Sequence, residues 1–148
     1  MDIAIIADDA KKELMTQFCI AYCGILSQHH LCATQKTCKY IYEATGLEIE
    51  QLLGGSEGGA EQIASRVSFN EIDVVFYFRD SESKTSTASD DTGYSVTRLC
   101  DIHNIPLATN IATAEVLVLA LDRGELNWRE VVNPRSEYNR KLKRNLYK

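Results

Sequence analysis

The sequence has no apolar run long enough to cross a membrane. Its first residues, Met1-Asp2-Ile3-Ala4, lack the pattern of a signal peptide, so a cytoplasmic protein is expected. Positive charge is not in excess either. The formal net charge is -5, which gives no support to broad nucleic-acid binding. Five cysteines, an odd number, do not make a disulfide framework. Cys19 and Cys23 lie one helical turn apart, but His29, His30 and His103 have no ligand-like spacing with them. No metal site is expected, and the thiols read as small, reduced core residues. Internal repeats and low-complexity linkers are absent as well, so 148 residues of ordinary globular composition read as one compact domain.

What is present centres on Gly54 to Gln62, Gly-Gly-Ser-Glu-Gly-Gly-Ala-Glu-Gln, followed at once by the helix-compatible run Ile63 to Val67. Glycines permit unusual backbone angles and close approach of a ligand to the main chain. The helix that follows would present free N–H groups and a positive dipole end, a seat for phosphate. The loop fits neither the P-loop nor the dinucleotide pattern, so no nucleotide is implied, and an ordinary connecting loop remains the competing reading.

Along the chain, Ile3 to Ala7 is a short apolar run ended by Asp8-Asp9, as in a buried parallel strand. Helical spacing predicts a helix from Ala10 to about Gln28. A strand is expected at Leu31 to Ala33, then a helix from Thr37 to Ala44 stopped by Gly46. A weaker strand, Leu47 to Leu53, feeds the glycine loop. Asp73 to Phe78 is the clearest strand. Ser81 to Asp91 reads as a long polar surface loop. A helix from about Asp91 to Ile102, a strand at Pro106 to Ala108 and a helix from Ala112 to Leu121 complete the pattern. The expectation is an α/β, Rossmann-like three-layer domain with a central, mostly parallel five-stranded sheet, spanning residues 1–132. Residues 133–148 form a basic C-terminal arm. This tail is either solvated, or an arm that reaches an anionic ligand, in a neighbouring subunit for example.

In such a sheet all strand C-termini share one edge, and ligands bind along it. Asp8-Asp9, Thr34 to Thr37, Gly54 to Gln62, Arg79-Asp80 and Thr109-Asn110 therefore converge on one crevice. The order of segments resembles the methylglyoxal synthase family over nearly the whole chain. The matching pieces are Ile3 to Asp9, Ala33-Thr34 with Thr37, Glu43 to Leu47, Gly58-Gly59 with Gln62, Ile72 to Val74, Arg79-Asp80, and Asn104 to Asn110 with Thr113 to Glu115. The same pattern is similar to the regulatory domain of carbamoyl-phosphate synthetases.

The resemblance implies a homo-oligomer, usually a hexamer, without metal or organic cofactor. It implies a reaction in which a carboxylate takes a carbon-bound proton from dihydroxyacetone phosphate, an enediolate forms, and phosphate leaves to give methylglyoxal. Carried over by position, the phosphate cradle comprises Lys12, Thr34, Thr37 and Gly55. Lys36 stands at a family threonine and Gly54 at a family serine, while Gln35 and Cys38 replace glycines. Arg140 or Arg144 would complete the cradle from the arm. The family base position is Ala60, with Glu61 beside it, although neighbouring residues at a helix start point in different directions. Asp8 stands at a family histidine beside the retained Asp9. The two carboxylates either raise one another's pKa or point to opposite sides of the strand end. Asp80 is retained, but no histidine lies between Ser81 and Asp91. The segment Ser83 to Ser89 reads as rebuilt, with Asp90 or Asp91 standing for a further aspartate. Asp8, Asp9, Glu61 and Asp80 are thus the candidate catalytic carboxylates. Three readings stand: a homologue that binds dihydroxyacetone phosphate, a similar metabolite or inorganic phosphate with weakened or lost catalysis, a non-catalytic metabolite-sensing module, or a changed enzyme acting on another phosphorylated compound.

Overall fold

The computed structural model describes the backbone of residues 1–82 and 88–148; side chains at 56 and 88–94 lie outside the described set. Five strands form one parallel sheet: β1 (Asp2–Ala7), β2 (His30–Ala33), β3 (Ile49–Gln51), β4 (Val74–Phe78) and β5 (Leu107–Ala108). Their order is β3-β2-β1-β4-β5, and every pairing is parallel. The chain turns back on itself beside β1, so the crevice between the ends of β1 and β4 is the topological switch point, where α/β sheets bind ligands.

Both central strands alternate their side chains between two apolar layers, as the pleat requires. Ile3, Ile5, Ala7, Val74, Phe76 and Phe78 enter one core cluster, and Ala4, Ile6, Val75 and Tyr77 the other. Helices α1 (Lys12–Ala21), α3 (Gln35–Thr45) and α6 (Ile111–Asp122) cover the first layer. Helices α4 (Gly59–Ser68) and α5 (Ala88–His103) cover the second. Phe18 of α1 packs its ring against Phe76 and Phe78 at centroid distances of 5.1 and 5.7 Å, tilted as aromatic quadrupoles prefer.

Several boundaries differ from expectation. The first long helix is broken at Tyr22, which leaves helical geometry (φ -112°, ψ 24°), and a short α2 (Cys23–Leu26) follows. Helix α3 starts two residues early because Thr34 is extended (φ -67°, ψ 159°) and occupies its N-cap position. Strand β3 keeps only three residues, with buried Leu47 and Leu52 anchoring its flanks, which leaves a short edge that resists stray pairing. Helix α5 begins at Ala88, so the end of the expected polar loop is already helical. The expected rebuilding at Ser83 to Ser89 falls largely outside the described residues, as do the side chains of Asp90 and Asp91. Two more helices close the chain, α7 (Arg129–Val132) and α8 (Glu137–Leu146).

Beneath α7 lies a buried polar knot. Arg129 is fully buried and donates to Asp73 Oδ1 (3.3 Å), Asn70 Oδ1 (2.7 Å) and the carbonyl of Ile72 (2.8 Å). Asn133, also fully buried, donates to both Asp73 oxygens at 3.0 Å, and Asp73 accepts the amide of Asp2 at 2.8 Å. Asp2 opens β1 and Asp73 precedes β4, so α7 is fixed to the N-terminal edge of the sheet. The residues before α8 remain tied to the body: Ser136 Oγ caps the helix by accepting the amide of Asn139, and donates to the carbonyl of Glu130.

Candidate active site

The C-terminal edge of the sheet assembles the site from the ends of β1, β2, β3 and β4. Lys12 is the first residue of α1, yet it is buried, because its ammonium turns back to the end of β1. Nζ donates to the carbonyl of Ala7 at 2.6 Å and lies 3.2 Å from Asp9 Oδ1. Lys36, in the first turn of α3, places its Nζ 3.3 Å from the same oxygen. The Lys12 ammonium, and after it that of Lys36, holds the exposed Asp9 carboxyl below its ordinary range. Of the two arrangements expected for Asp8 and Asp9, the pair takes the one in which the carboxylates point to different sides of the strand end. Asp9 faces two cations. Asp8 turns the other way and accepts the backbone N–H of Asp80 at 2.7 Å, while its own amide donates to Phe78 O at 3.0 Å. Asp8 thereby fastens the end of β4 across the switch point, and Asp80 Oδ1 accepts the amide of Glu82.

Between the lysines lies the α3 terminus. Thr34 and Thr37 are buried, with hydroxyl oxygens 3.5 Å apart, and Thr34 makes no side-chain cap. Among the described residues the first amide of this turn with an acceptor is that of Cys38, bonded to Thr34 O. The amides before it are the orphan donors of a helix start, and that same turn carries Lys36.

The glycine loop closes the cradle. Gly54 leads into a 3₁₀ turn, Gly55–Glu57, and its carbonyl accepts the amides of both Glu57 (2.9 Å) and Gly59 (3.0 Å). Gly58 and Gly59 are needed for different reasons. Gly58 has φ +99°, a left-handed geometry costly for any side chain. At Gly59 a Cβ would lie 2.0 Å from the carbonyl oxygen of Leu53 and 2.9 Å from Thr34 Cγ2, so the loop backbone is pressed against the cradle itself. Gln62 holds the approach by accepting the amide of Leu53 at 2.8 Å.

Asp9, Lys12, Thr34, Lys36, Thr37, Gly54 and the glycine turn thus come together, with Gly55 on the loop and Asp8 and Asp80 on the β4 side. Ala60 and Glu61 lie in the first turn of α4. The Glu61 carboxylate folds back to 3.8 Å from where a Gly58 Cβ would be. Arg140 and Arg144 stand apart: they are exposed on α8, which follows α7 from the opposite edge of the sheet, and neither pairs with the cradle residues. Asn110 belongs to α6 as its N-cap, accepting the amide of Thr113. The sequence reading passed over Glu57, whose only signal is an acidic residue inside a glycine turn. It also passed over Arg129 and Asn133, which nothing in the local pattern marks. A cavity of about 650 Å³ opens at the N-terminal edge near His29, His30, Glu48 and Glu50. With no lysine or arginine in its lining, it does not suit a phosphate.

Fold and site together define an α/β domain with a cationic cradle at its strand C-termini. Residues 17–109 match the family model described as MGS-like domain. The chain is 54% identical to methylglyoxal synthase of Caldicellulosiruptor saccharolyticus over 140 residues, covering 95% of this chain and 98% of that protein. It is 44% identical to methylglyoxal synthase of Clostridioides difficile over 137 residues, 93% and 98% of the two chains. The crystal structure of methylglyoxal synthase from Elizabethkingia anophelis NUHP1 superposes with a TM-score of 0.71 at 30% identity, covering 79% of this chain and 76% of that one. The chain belongs to the methylglyoxal synthase family.

Proposed function

We propose that this protein binds the phosphate of dihydroxyacetone phosphate, or of a closely similar metabolite, in the cradle of Lys12, Thr34, Lys36, Thr37, Gly54 and Gly55. The observation that carries the reading is the buried Lys12 ammonium, which shares Asp9 with Lys36 from the first turn of an uncapped helix. A charge drawn out of water there is best used on an anion that α3 also attracts. The reaction is elimination of phosphate to methylglyoxal. Its rate is low, because Ala60 at the base position cannot accept a proton and a positioned base is worth about a hundred- to ten-thousand-fold. Asp8, Asp9, Glu61 and Asp80 are the carboxylates already proposed for the remaining proton transfers. Of these, Asp8 is occupied in holding Asp80, and Asp9 in bridging two lysines.

The working form is a cytoplasmic homo-oligomer, a hexamer by family resemblance, and needs no cofactor. The basic arm at 133–148 leaves from the edge opposite the cradle of its own chain, so Arg140 or Arg144 serves a neighbouring subunit. Ala60 also favours a second reading, a phosphate-sensing module without turnover.

Thermal unfolding with increasing inorganic phosphate tests the cradle, since a ligand bound only by the folded state raises its stability. No shift at high phosphate would sink both readings. Methylglyoxal formation from dihydroxyacetone phosphate, measured beside Ala60→Asp, then separates them. Slow turnover that rises in the variant supports the weakened enzyme. A silent parent with an active variant supports the sensor.

A further inference from the structure

We infer that Glu57 is the base that takes the carbon-bound proton in place of the carboxylate missing at Ala60, an inference that rests on the phosphate-elimination reading above. The 3₁₀ turn folds Glu57 back over Gly54, whose carbonyl accepts the Glu57 amide at 2.9 Å. The carboxylate returns with the backbone: Oε2 and Cδ lie 3.9 and 4.0 Å from the point where a Gly54 Cβ would sit. Gln35 Oε1, from the first residue of α3, lies 3.4 Å from that same point. Glu57 and the start of α3 therefore flank one empty spot on the cradle rim. A serine at 54, which the family resemblance places there, would fill it. Glycine leaves the room that the glutamate leans into, and the open end of α3 favours a negative charge beside it.

The alternative carboxylate is placed less well. Glu61 follows Gly58 on α4, and its Oε2 lies 3.8 Å from where a Gly58 Cβ would be, whereas the Glu57 carboxylate is among the nearest atoms to Gly54. Because the Glu57 carboxylate stands beside Gly54 of the cradle, the proposal directs the carbon chain of a substrate seated on Lys12 and the Thr34–Thr37 turn toward Glu57. The step balances without any co-reactant. The Glu57 carboxylate takes a proton from the hydroxymethyl carbon, and that C–H electron pair becomes the double bond of an enediolate. The hydroxyl of the enediolate then passes its proton to the departing phosphate as its oxygen forms a carbonyl, the double bond shifts, and the C–O bond to phosphate breaks with the pair leaving on phosphate. The remaining enolate takes a proton on carbon, returned by Glu57, and becomes methylglyoxal.

The test compares parent, Glu57→Gln and Glu57→Asp for turnover of dihydroxyacetone phosphate over a range of pH, and for thermal stabilisation by inorganic phosphate. A substitute base at the low end of the usual range predicts a loss in kcat of about a hundred-fold in Glu57→Gln, with KM changed by less than about three-fold. The acid limb of the parent pH–rate profile disappears with it, and Glu57→Asp recovers part of the rate. Phosphate still stabilises all three chains, because Lys12, Thr34 and Thr37 are unchanged. Parent-like kcat in Glu57→Gln overturns the inference. A parent without turnover overturns it too, and phosphate stabilisation then tells whether the cradle reading stands alone or falls with it.

Discussion

Replacing Arg129 by methionine removes one guanidinium from the interior while keeping a long apolar stem in its place. Asp73, only 2% exposed, keeps the amide of Asp2 and the Asn133 side chain as donors but loses its counter-charge. The carbonyl of Ile72 and the side-chain oxygen of Asn70 each lose a donor. Breaking a buried pair from one side costs about 3–5 kcal/mol, because a buried charge is left without its partner. At roughly 2–4 °C per kcal/mol for a domain of this size, the midpoint falls by about 6–20 °C. The Nη1 amino group of Arg129 has no acceptor among the described residues even in the parent, so the gain from the native pair is incomplete. The double variant Arg129→Met with Asp73→Asn removes both charges and is therefore expected to lose less than Arg129→Met alone. Urea unfolding followed by circular dichroism and by Trp128, the single tryptophan, reads both quantities. The Arg129 guanidinium lies 5.5 Å over that indole, so its fluorescence also reports whether α7 stays seated. A loss below about 1 kcal/mol in the single variant, or a double variant worse than the single, would refute the account of a charge pair fixing α7.

Gly59→Ala forces a methyl group against the Leu53 carbonyl at 2.0 Å. It is expected to cost about 1–3 kcal/mol and to abolish stabilisation by phosphate, because the loop must lift away from Thr34. Gly58→Ala meets only backbone strain, costs about 1–2 kcal/mol and keeps a phosphate response. Equal behaviour of the two variants in a thermal-shift titration would contradict the packing described. Asp9 supplies a pH prediction. Its carboxyl is held below the ordinary range, so its pairing with the lysines is intact above that range and is lost as pH falls through the depressed value. Lys36→Ala should move the Asp9 titration upward, toward the ordinary carboxylate range, in carboxyl-carbon NMR. An unmoved titration would mean that Lys36 does not reach Asp9 in solution.

Strands β1 and β4 were legible because residues buried on both faces leave an uninterrupted apolar run. The crevice followed from them, since parallel strands bring their C-termini to one edge. The start of α3 was hidden: Thr34 to Thr37 holds no apolar residue, and only the extended Thr34 backbone marks where the helix begins. The break at Tyr22 was concealed by apolar spacing that continues through it. Arg129 and Asp73 lie 56 residues apart, and no periodicity announces that an arginine will be fully buried. Nor did the sequence reveal the edge from which the basic arm departs. That depends on Asn133 and Arg129 finding Asp73, a long-range event. The role of Gly59 was half legible: the residue type is plain, but the 2.0 Å approach to Leu53 belongs to tertiary packing.

The five thiols acquire a meaning from the proposed product. An α-dicarbonyl is an electrophile, and a protein that releases one exposes its own nucleophiles to a high local dose. Thiolates add to such carbonyls far faster than neutral thiols do. Cys19, Cys32, Cys38 and Cys100 are buried, and desolvation pushes Cys19, Cys32 and Cys100 up to about 12 and Cys38 in the same direction. Four of the five sulfurs are therefore both shielded and uncharged at neutral pH. A core assembled for packing would thereby also shield four thiols from the proposed product.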